Sequence, residues 1–375
     1  MEEPYDTVQP ADSVEFCPHP AATAIFACGT YKLEDPDLQL GDKTPTLSTP
    51  EVETPPPLPK SHQKRTGRCL FFESSRPETP SLLQELALPA ILDMKWCHTS
   101  ETRQPLLAIA DSECNISFHE WDIEEKRIDA SVSVSLGDPQ VLCLSLDWAN
   151  RRQPTSSLAD LVVSLSNGDL ALLRQDATGG LSVRDSWHAH DYEPWIAAWN
   201  YWDTNIIYSG GDDLKMKAWD IRAGFSQPVA INKRFTAGVT TIQSHPNTEH
   251  IIAVGSYDSS VRLFDTRKLL TPLTQAEVGG GAWRVKWHPS PKRTHDLLVA
   301  AMHGGFKILK FHDMWTSQDT PPVFRERWTI MKEFNKHQSL AYGVDWSHVP
   351  MQDERGETLV ASASFYDHAM YLWRG

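Results

Sequence analysis

Apolar and polar positions alternate in short runs along this chain, and the alternation returns at a fixed interval. Ile206 to Asp220 (IIYSGGDDLKMKAWD) and Ile251 to Asp265 (IIAVGSYDSSVRLFD) align without gaps at a period of 45 residues. Each segment is an apolar run, a tight turn, and an alternating run closed by an aromatic residue and Asp. A two-residue period on either side of a turn is the mark of a β-hairpin. Six residues before the closing position stand Asn115, Asn167, Asp213, Asp258, Gly305 and Asp367, matched to Trp121, Leu173, Trp219, Phe264, Phe311 and Trp373. Asn, Asp and Gly tolerate the backbone angles of tight turns. An apolar run with an aromatic near its end precedes each hairpin, at Trp96, Trp148, Trp199, Trp287 and Trp346, with His245-Pro246 at the matching place in the fifth unit.

A first unit over Val14 to Phe72 repeats the pattern, interrupted before its closing strand Arg68 to Phe72. That makes seven units, and each closing strand is followed by a fourth run such as Ile128 to Leu136, Val229 to Phe235 or Trp328 to Phe334. The seventh unit lacks one, while a stray strand-like piece, Tyr5 to Gln9, stands before the first. The expected fold is therefore all-β: a seven-bladed WD-repeat β-propeller over residues 1–375 as one domain, its ring closed when the N-terminal strand completes the last blade. Residues 32–66 carry seven prolines with Thr, Ser and Glu and no apolar period, which predicts a disordered insertion in the first blade.

Composition adds three constraints. Lys and Arg number 35 against 49 Asp and Glu, a net charge of −14, and an acidic chain is poorly suited to phosphate backbones, so no nucleic-acid partner is expected. No run approaches the length of a transmembrane helix, and the acidic start Met1 to Asp6 resembles neither a secretory signal nor a transit peptide, so the expected location is the cytoplasm. Six cysteines occur without a CxxC pair, most of them in apolar runs, and none is expected to be catalytic.

The familiar catalytic signatures (GxSxG, HExxH, P-loop, dinucleotide fingerprint) are absent, and taken alone this would favour an interaction platform. The segments expected on the face that carries the hairpin turns and interblade connections change that view. They are dense in His, Asp, Tyr and Trp: His188 to Trp195, Gly211 to Asp213, Ser256 to Asp258, Gly279 to Arg284, Met302 to Gly305, Lys336 to Tyr342 and Phe365 to His368. The opposite face offers ordinary polar turns such as Ala223 to Phe225. An aromatic and acidic funnel is expected on one face.

Each element also has a plainer reading. Asp213, Asp258 and Asp367 suit hairpin turns. His190 lies where a WD repeat often places a His bonded to such an Asp. A metal site from His188, His190 and His303 lacks a close-spaced ligand pair. Three glycines in a row, Gly279 to Gly281, imply a sharp turn or a close approach of other backbone.

At these loops the sequence resembles the WD-repeat diphthine methyl ester hydrolases of diphthamide biosynthesis. The matching segments are YDTVQPADSVEFC (from Tyr5), HDYEPWIAAW (from His190), YSGGDDLKMKAWDIR (from Tyr208), GSYDSSVRLFDTR (from Gly255), GGGAWRVKWHP (from Gly279) and MHGGF (from Met302), with Ser339 to Trp346 and Phe365 to His368. The resemblance spans all seven blades except the proline-rich insertion. It implies an enzyme that removes the methyl ester of methylated diphthine on elongation factor 2, releasing methanol so that the free carboxylate can be amidated to diphthamide. It implies no redox cofactor or nucleotide, and it leaves other enzymes of the pathway as further partners; a metal site from His188, His190, His303 and Asp residues is the lesser option, and none is expected. A quaternary ammonium is best held by aromatic faces and negative charge. Trp195, Trp283, Tyr257, Tyr342 and Tyr366 with Asp212 and Glu193 are the candidates for that cage. His337, His303 and His190 are candidate bases, Arg284 and the Gly280–Gly281 amides candidate oxyanion donors, and Ser339 a candidate nucleophile. The rival expectations are a WD-repeat adaptor that presents a client to another enzyme, and a reader of methylated lysine.

Overall fold

The computed structural model describes residues 3–34, 64–74, 80–312, 327–350 and 356–375. Their strands form seven antiparallel sheets, and the first strands of successive sheets touch one another in a closed ring around a central channel. This is a seven-bladed β-propeller. The innermost strands are Ala11–Phe16, Ile91–Cys97, Cys143–Trp148, Ile196–Trp199, Val239–Ser244, Arg284–Trp287 and Ala341–Trp346, which define blades 1 to 7. They are buried almost throughout, since each blade is sandwiched between two others. Their sequences alternate apolar residues with buried polar or charged ones, such as Asp93 and Lys95 in blade 2 or Arg284 and Lys286 in blade 6.

The tryptophans explain how the blades hold together. Trp96, Trp148, Trp199, Trp287 and Trp346 each donate the indole N–H to a backbone carbonyl of a neighbouring inner strand: Glu15 (3.1 Å), Lys95 (2.9 Å), Asp147 (3.0 Å), Gln243 (3.3 Å) and Lys286 (2.9 Å). Each ring thus fills the wedge between two blades and satisfies its one polar atom there, the condition under which Trp can be buried at little cost. Replacing such a side chain with Ala costs about 3–5 kcal/mol in packed cores.

Closure follows the expected route. Tyr5–Asp6 pairs antiparallel with Ala369–Arg374, Tyr5 opposite Met370, so both ends of the chain build blade 7 and two free sheet edges disappear. The ends of the expected insertion are ordered, because Lys32–Leu33 pairs with Arg65 and Thr66 as an extension of the hairpin. Its remainder, 35–63, lies outside the described residues. The fourth run of blade 4 is shorter than its apolar pattern, Ala230–Asn232, since Asn232 caps it: its side chain accepts from the Arg234 N–H (2.9 Å) and donates to the Leu269 carbonyl (2.7 Å).

The hairpin turns and interblade connections lie on one face, here the upper face, and the inner strands start there. Five of them begin with a register shift, between Ala11 and Ser13, Ile91 and Asp93, Cys143 and Ser145, Val239 and Thr241, and Ala341 and Gly343. A bulge re-aims the extra residue and bends the strand end. The extra residues Asp12, Leu92, Leu144, Thr240 and Tyr342 therefore ring the upper mouth of the channel.

Candidate active site

Aromatic rings form a continuous arc over that mouth. Trp195 meets Trp283 edge to face at 5.6 Å and Tyr257 at 6.4 Å; Trp283 stacks on Tyr342 at 4.9 Å; Tyr342 contacts Phe365 at 5.1 Å, and Phe365 contacts Tyr366 at 4.9 Å. All five aromatic residues named from the sequence belong to it, and Phe365 joins Tyr366 to the rest. Tyr366 is the outermost, at 69% exposure, whereas Trp283 is buried at 8%. The indole N–H of Trp283 is buried without an acceptor among the described residues. Burial, together with the nearby Asp12 carboxyl, pushes the Tyr342 phenol up to about 12.

The glycines show what holds the arc in place. A Cβ on Gly280 would lie 2.2 Å from the Ala301 carbonyl and 2.6 Å from the Gly304 nitrogen, and one on Gly281 would lie 3.1 Å from the Tyr257 ring. The triple glycine thus lets the backbone before Trp283 press against the hairpin Met302 to Gly305, which carries the exposed His303. Likewise, a Cβ on Gly238 would fall 2.1 Å from an Asp212 carboxyl oxygen and 3.1 Å from Tyr257. Asp212 therefore stands beside the arc, and burial raises its pKa, with Glu193 and Asp213 pushing the same way and the Trp195 indole opposing.

Below the arc the channel is crossed by charge. Arg284 reaches from blade 6 to blade 2, with its guanidinium 3.4 Å from the Leu92 carbonyl and 3.8 Å from Asp93. Asp93 is bound by Lys95 at 2.5 Å; Lys95 also meets Glu15 at 2.9 Å, and Glu15 pairs with Lys286. Deeper still, Lys286 lies 3.6 Å from Asp345, and Arg151 lies 2.9 Å from Asp147. Burial opposes ionisation of Glu15, but Lys286 and Lys95 hold its carboxyl down to about 2. Acids and bases alternate, so charges that would be costly alone are retained in the interior.

The structure separates the candidate histidines. Both ring nitrogens of His190 are occupied, Nδ1 with Asp213 (2.8 Å) and Nε2 with Ser209 (2.7 Å), and the Trp219 indole donates to the same serine (2.9 Å). His337 repeats this relay in blade 7: Nε2 accepts from Ser362 (2.8 Å), which receives the Trp373 indole (3.0 Å), and Nδ1 bonds Ser364, which donates to Asp367. Its ring is packed among Phe306, Phe334 and Tyr371. Burial pulls the His337 pKa down to about 4. Both imidazoles thus tie strands together beside the site. Ser339 accepts from the Tyr366 N–H at 2.9 Å and so fixes the outer end of the arc.

Two acids near Arg284 escaped the sequence reading: Asp93, and Asp12, which is 6% exposed. The signal was available, since ADSVEF and ILDMKWC place charged residues in strands that a propeller buries between blades. Among the described residues no three His, Cys, Asp or Glu side chains converge as metal ligands, and no helix is long and apolar enough to cross a membrane. All six cysteines are buried free thiols, and burial pushes Cys17 and Cys28 up to about 12, which keeps them protonated.

Comparison with known proteins agrees with the resemblance. No family model matches the chain. A chain in the crystal structure of the mitotic checkpoint complex superposes with a TM-score of 0.59 at 14% identity, covering 90% of this chain and 99% of that one, a likeness of fold alone. Mouse diphthine methyltransferase is 39% identical over 356 residues, 91% of this chain and 68% of the mouse protein. The human protein of the same name is 38% identical, over 91% of this chain and 73% of its own length. A homologue from Dictyostelium discoideum is 33% identical over 97% of this chain and 96% of its own. With similarity of this depth running through all seven blades, the chain belongs to the diphthine methyltransferase family.

Proposed function

We propose that this protein acts in diphthamide biosynthesis by hydrolysing the methyl ester of methylated diphthine on elongation factor 2, with water as the acceptor. The relatives' shared name supports the pathway and the diphthine substrate. The observation that carries the ester chemistry is the pairing of an aromatic arc with a buried guanidinium directly beneath it. Diphthine bears a trimethylammonium group, which aromatic faces attract by about 1–2 kcal/mol when water is excluded. Asp212 and Glu193 at the rim supply negative charge to the same cation. With the cation held in the arc, the ester reaches toward Arg284, a donor suited to the negative charge that develops on a carbonyl oxygen under attack. Arg284 is held in advance by Asp93 and the Leu92 carbonyl, so little reorganisation accompanies the reaction.

The test is incubation of elongation factor 2 carrying methylated diphthine with the purified protein in heavy-oxygen water. Methanol release, with the heavy oxygen in the new carboxylate, is the expected result. Heavy oxygen in the methanol would mean transfer of the methyl group itself. Binding without any loss of methyl would mean an adaptor or reader.

A further inference from the structure

Among the described residues the channel holds five buried acids near its axis, and four are clasped. Asp93 is held by Lys95 and the Leu146 N–H (3.1 Å), Glu15 by Lys95 and Lys286, Asp147 by Arg151 and the Trp199 N–H (2.9 Å), and Asp345 by Lys286 and the Phe16 N–H (2.8 Å). The fifth, Asp12, has 6% of its surface exposed, and its carboxyl makes no hydrogen bond or ion pair among the described residues; its oxygens are not sealed in the interior but open to the channel. It is also the extra residue of a bulge, set at the head of blade 1's inner strand. A bulge is a device for re-aiming a side chain, and here it leaves a carboxyl without a protein partner at the mouth of the channel, where water and a ligand can meet it.

We infer that Asp12 is the general base that activates water for ester cleavage, facing Arg284 across the upper end of the channel. This rests on the ester-hydrolase reading above. The Asp12 carboxylate takes a proton as the water oxygen bonds to the ester carbonyl carbon. The carbonyl electron pair moves onto oxygen and is met by the Arg284 guanidinium. Collapse of the tetrahedral intermediate breaks the bond to the methoxy oxygen, and Asp12 returns its proton to that oxygen, giving methanol. The acid product then ionises to the carboxylate, releasing one proton to solvent.

The electrostatic setting suits the role. Burial lifts the Asp12 pKa to about 7, Arg284 and Lys95 pull it back, and Asp93 adds to the rise. The remaining ionisable groups facing it are the phenols of Tyr342 and Tyr257 and the Cys28 thiol, all of which feel its charge. A base poised near the working pH transfers protons most effectively.

The experiment compares wild type with Asp12→Asn and Asp12→Ala on the methylated-diphthine substrate across pH. In wild type kcat/KM should rise with pH through about 7, where Asp12 loses its proton. Asp12→Asn should lower kcat by roughly a hundredfold or more and abolish that limb, while substrate affinity stays within a fewfold. Because the amide removes a buried, unpartnered charge, its melting temperature should equal or exceed that of wild type, which separates lost chemistry from lost folding. An Asp12→Asn protein that keeps its rate within threefold, or keeps the acid limb, overturns the assignment while leaving the ester reading intact. A wild-type protein that releases no methanol overturns both.

Discussion

His337→Ala distinguishes a structural histidine from a catalytic one. The substitution removes the acceptor of the Ser362 hydroxyl (2.8 Å) and the donor to Ser364, and empties the space between Phe306, Phe334 and Tyr371. Ser362 still accepts from Trp373, and Ser364 still donates to Asp367, so only part of the relay is orphaned. Two hydrogen bonds at about 1 kcal/mol each and a partly collapsed cavity give an expected loss of about 3 kcal/mol. The pH dependence carries a sign. The folded His337 pKa is lowered from 6.5 to about 4 by burial, so between those values the unfolded chain binds a proton that the folded chain refuses. Wild-type stability from this residue is complete above about pH 6.5 and drains away as the pH falls toward about 4. His337→Ala lacks that slope, so the gap between the two proteins should narrow by about 2–3 kcal/mol over this range. Urea unfolding followed by tryptophan fluorescence at several pH values measures both quantities. Methanol release by the folded variant should stay within threefold of wild type. A hundredfold loss of kcat with unchanged stability would refute the relay and restore His337 as a base.

Trp283→Ala removes the ring stacked on Tyr342, and should raise KM roughly tenfold, equivalent to the ~1.4 kcal/mol of a desolvated cation–π contact. An analogue lacking the trimethylammonium group should show no such difference between the two proteins. Lys286→Met leaves Glu15 with Lys95 alone and Asp345 without its cation, so unfolding at neutral pH should cost about 3–5 kcal/mol less than in wild type; a loss under 1 kcal/mol would mean that the channel acids are satisfied by other means. Gly280→Ala would place a methyl 2.2 Å from the Ala301 carbonyl, driving the His303 hairpin away from the segment that carries Trp283. It should lower both the melting temperature and substrate affinity, whereas Gly224→Ala, with open space around its Cβ position but positive φ (78°), should cost only about 1 kcal/mol and leave turnover unchanged.

Sequence by itself determined the repeat, the strand count and the closure of the ring. These depend on local regularities: a turn-former six residues before each closing position, and an apolar run before each hairpin. It also named five of the six aromatic members of the arc, all but Phe365, since the loops of one propeller face are brought together whatever the details of their packing. Tertiary structure alone decided how the polar groups divide between chemistry and architecture. Along the chain only His190 has a structural reading, yet His337 is locked between Ser362 and Ser364 in the same way, and only His303 stands exposed on a turn. Arg284 finds Asp93 across the channel, a contact 191 positions away in sequence and set by ring geometry. Asp12 differs from its four acidic neighbours in having no hydrogen bond or ion pair among the described residues, and whether a carboxyl is clasped depends on distances between blades. Periodicity reports which way a strand faces. It carries no information about which side chains on opposite strands come within reach of one another, and the site is built from such pairs.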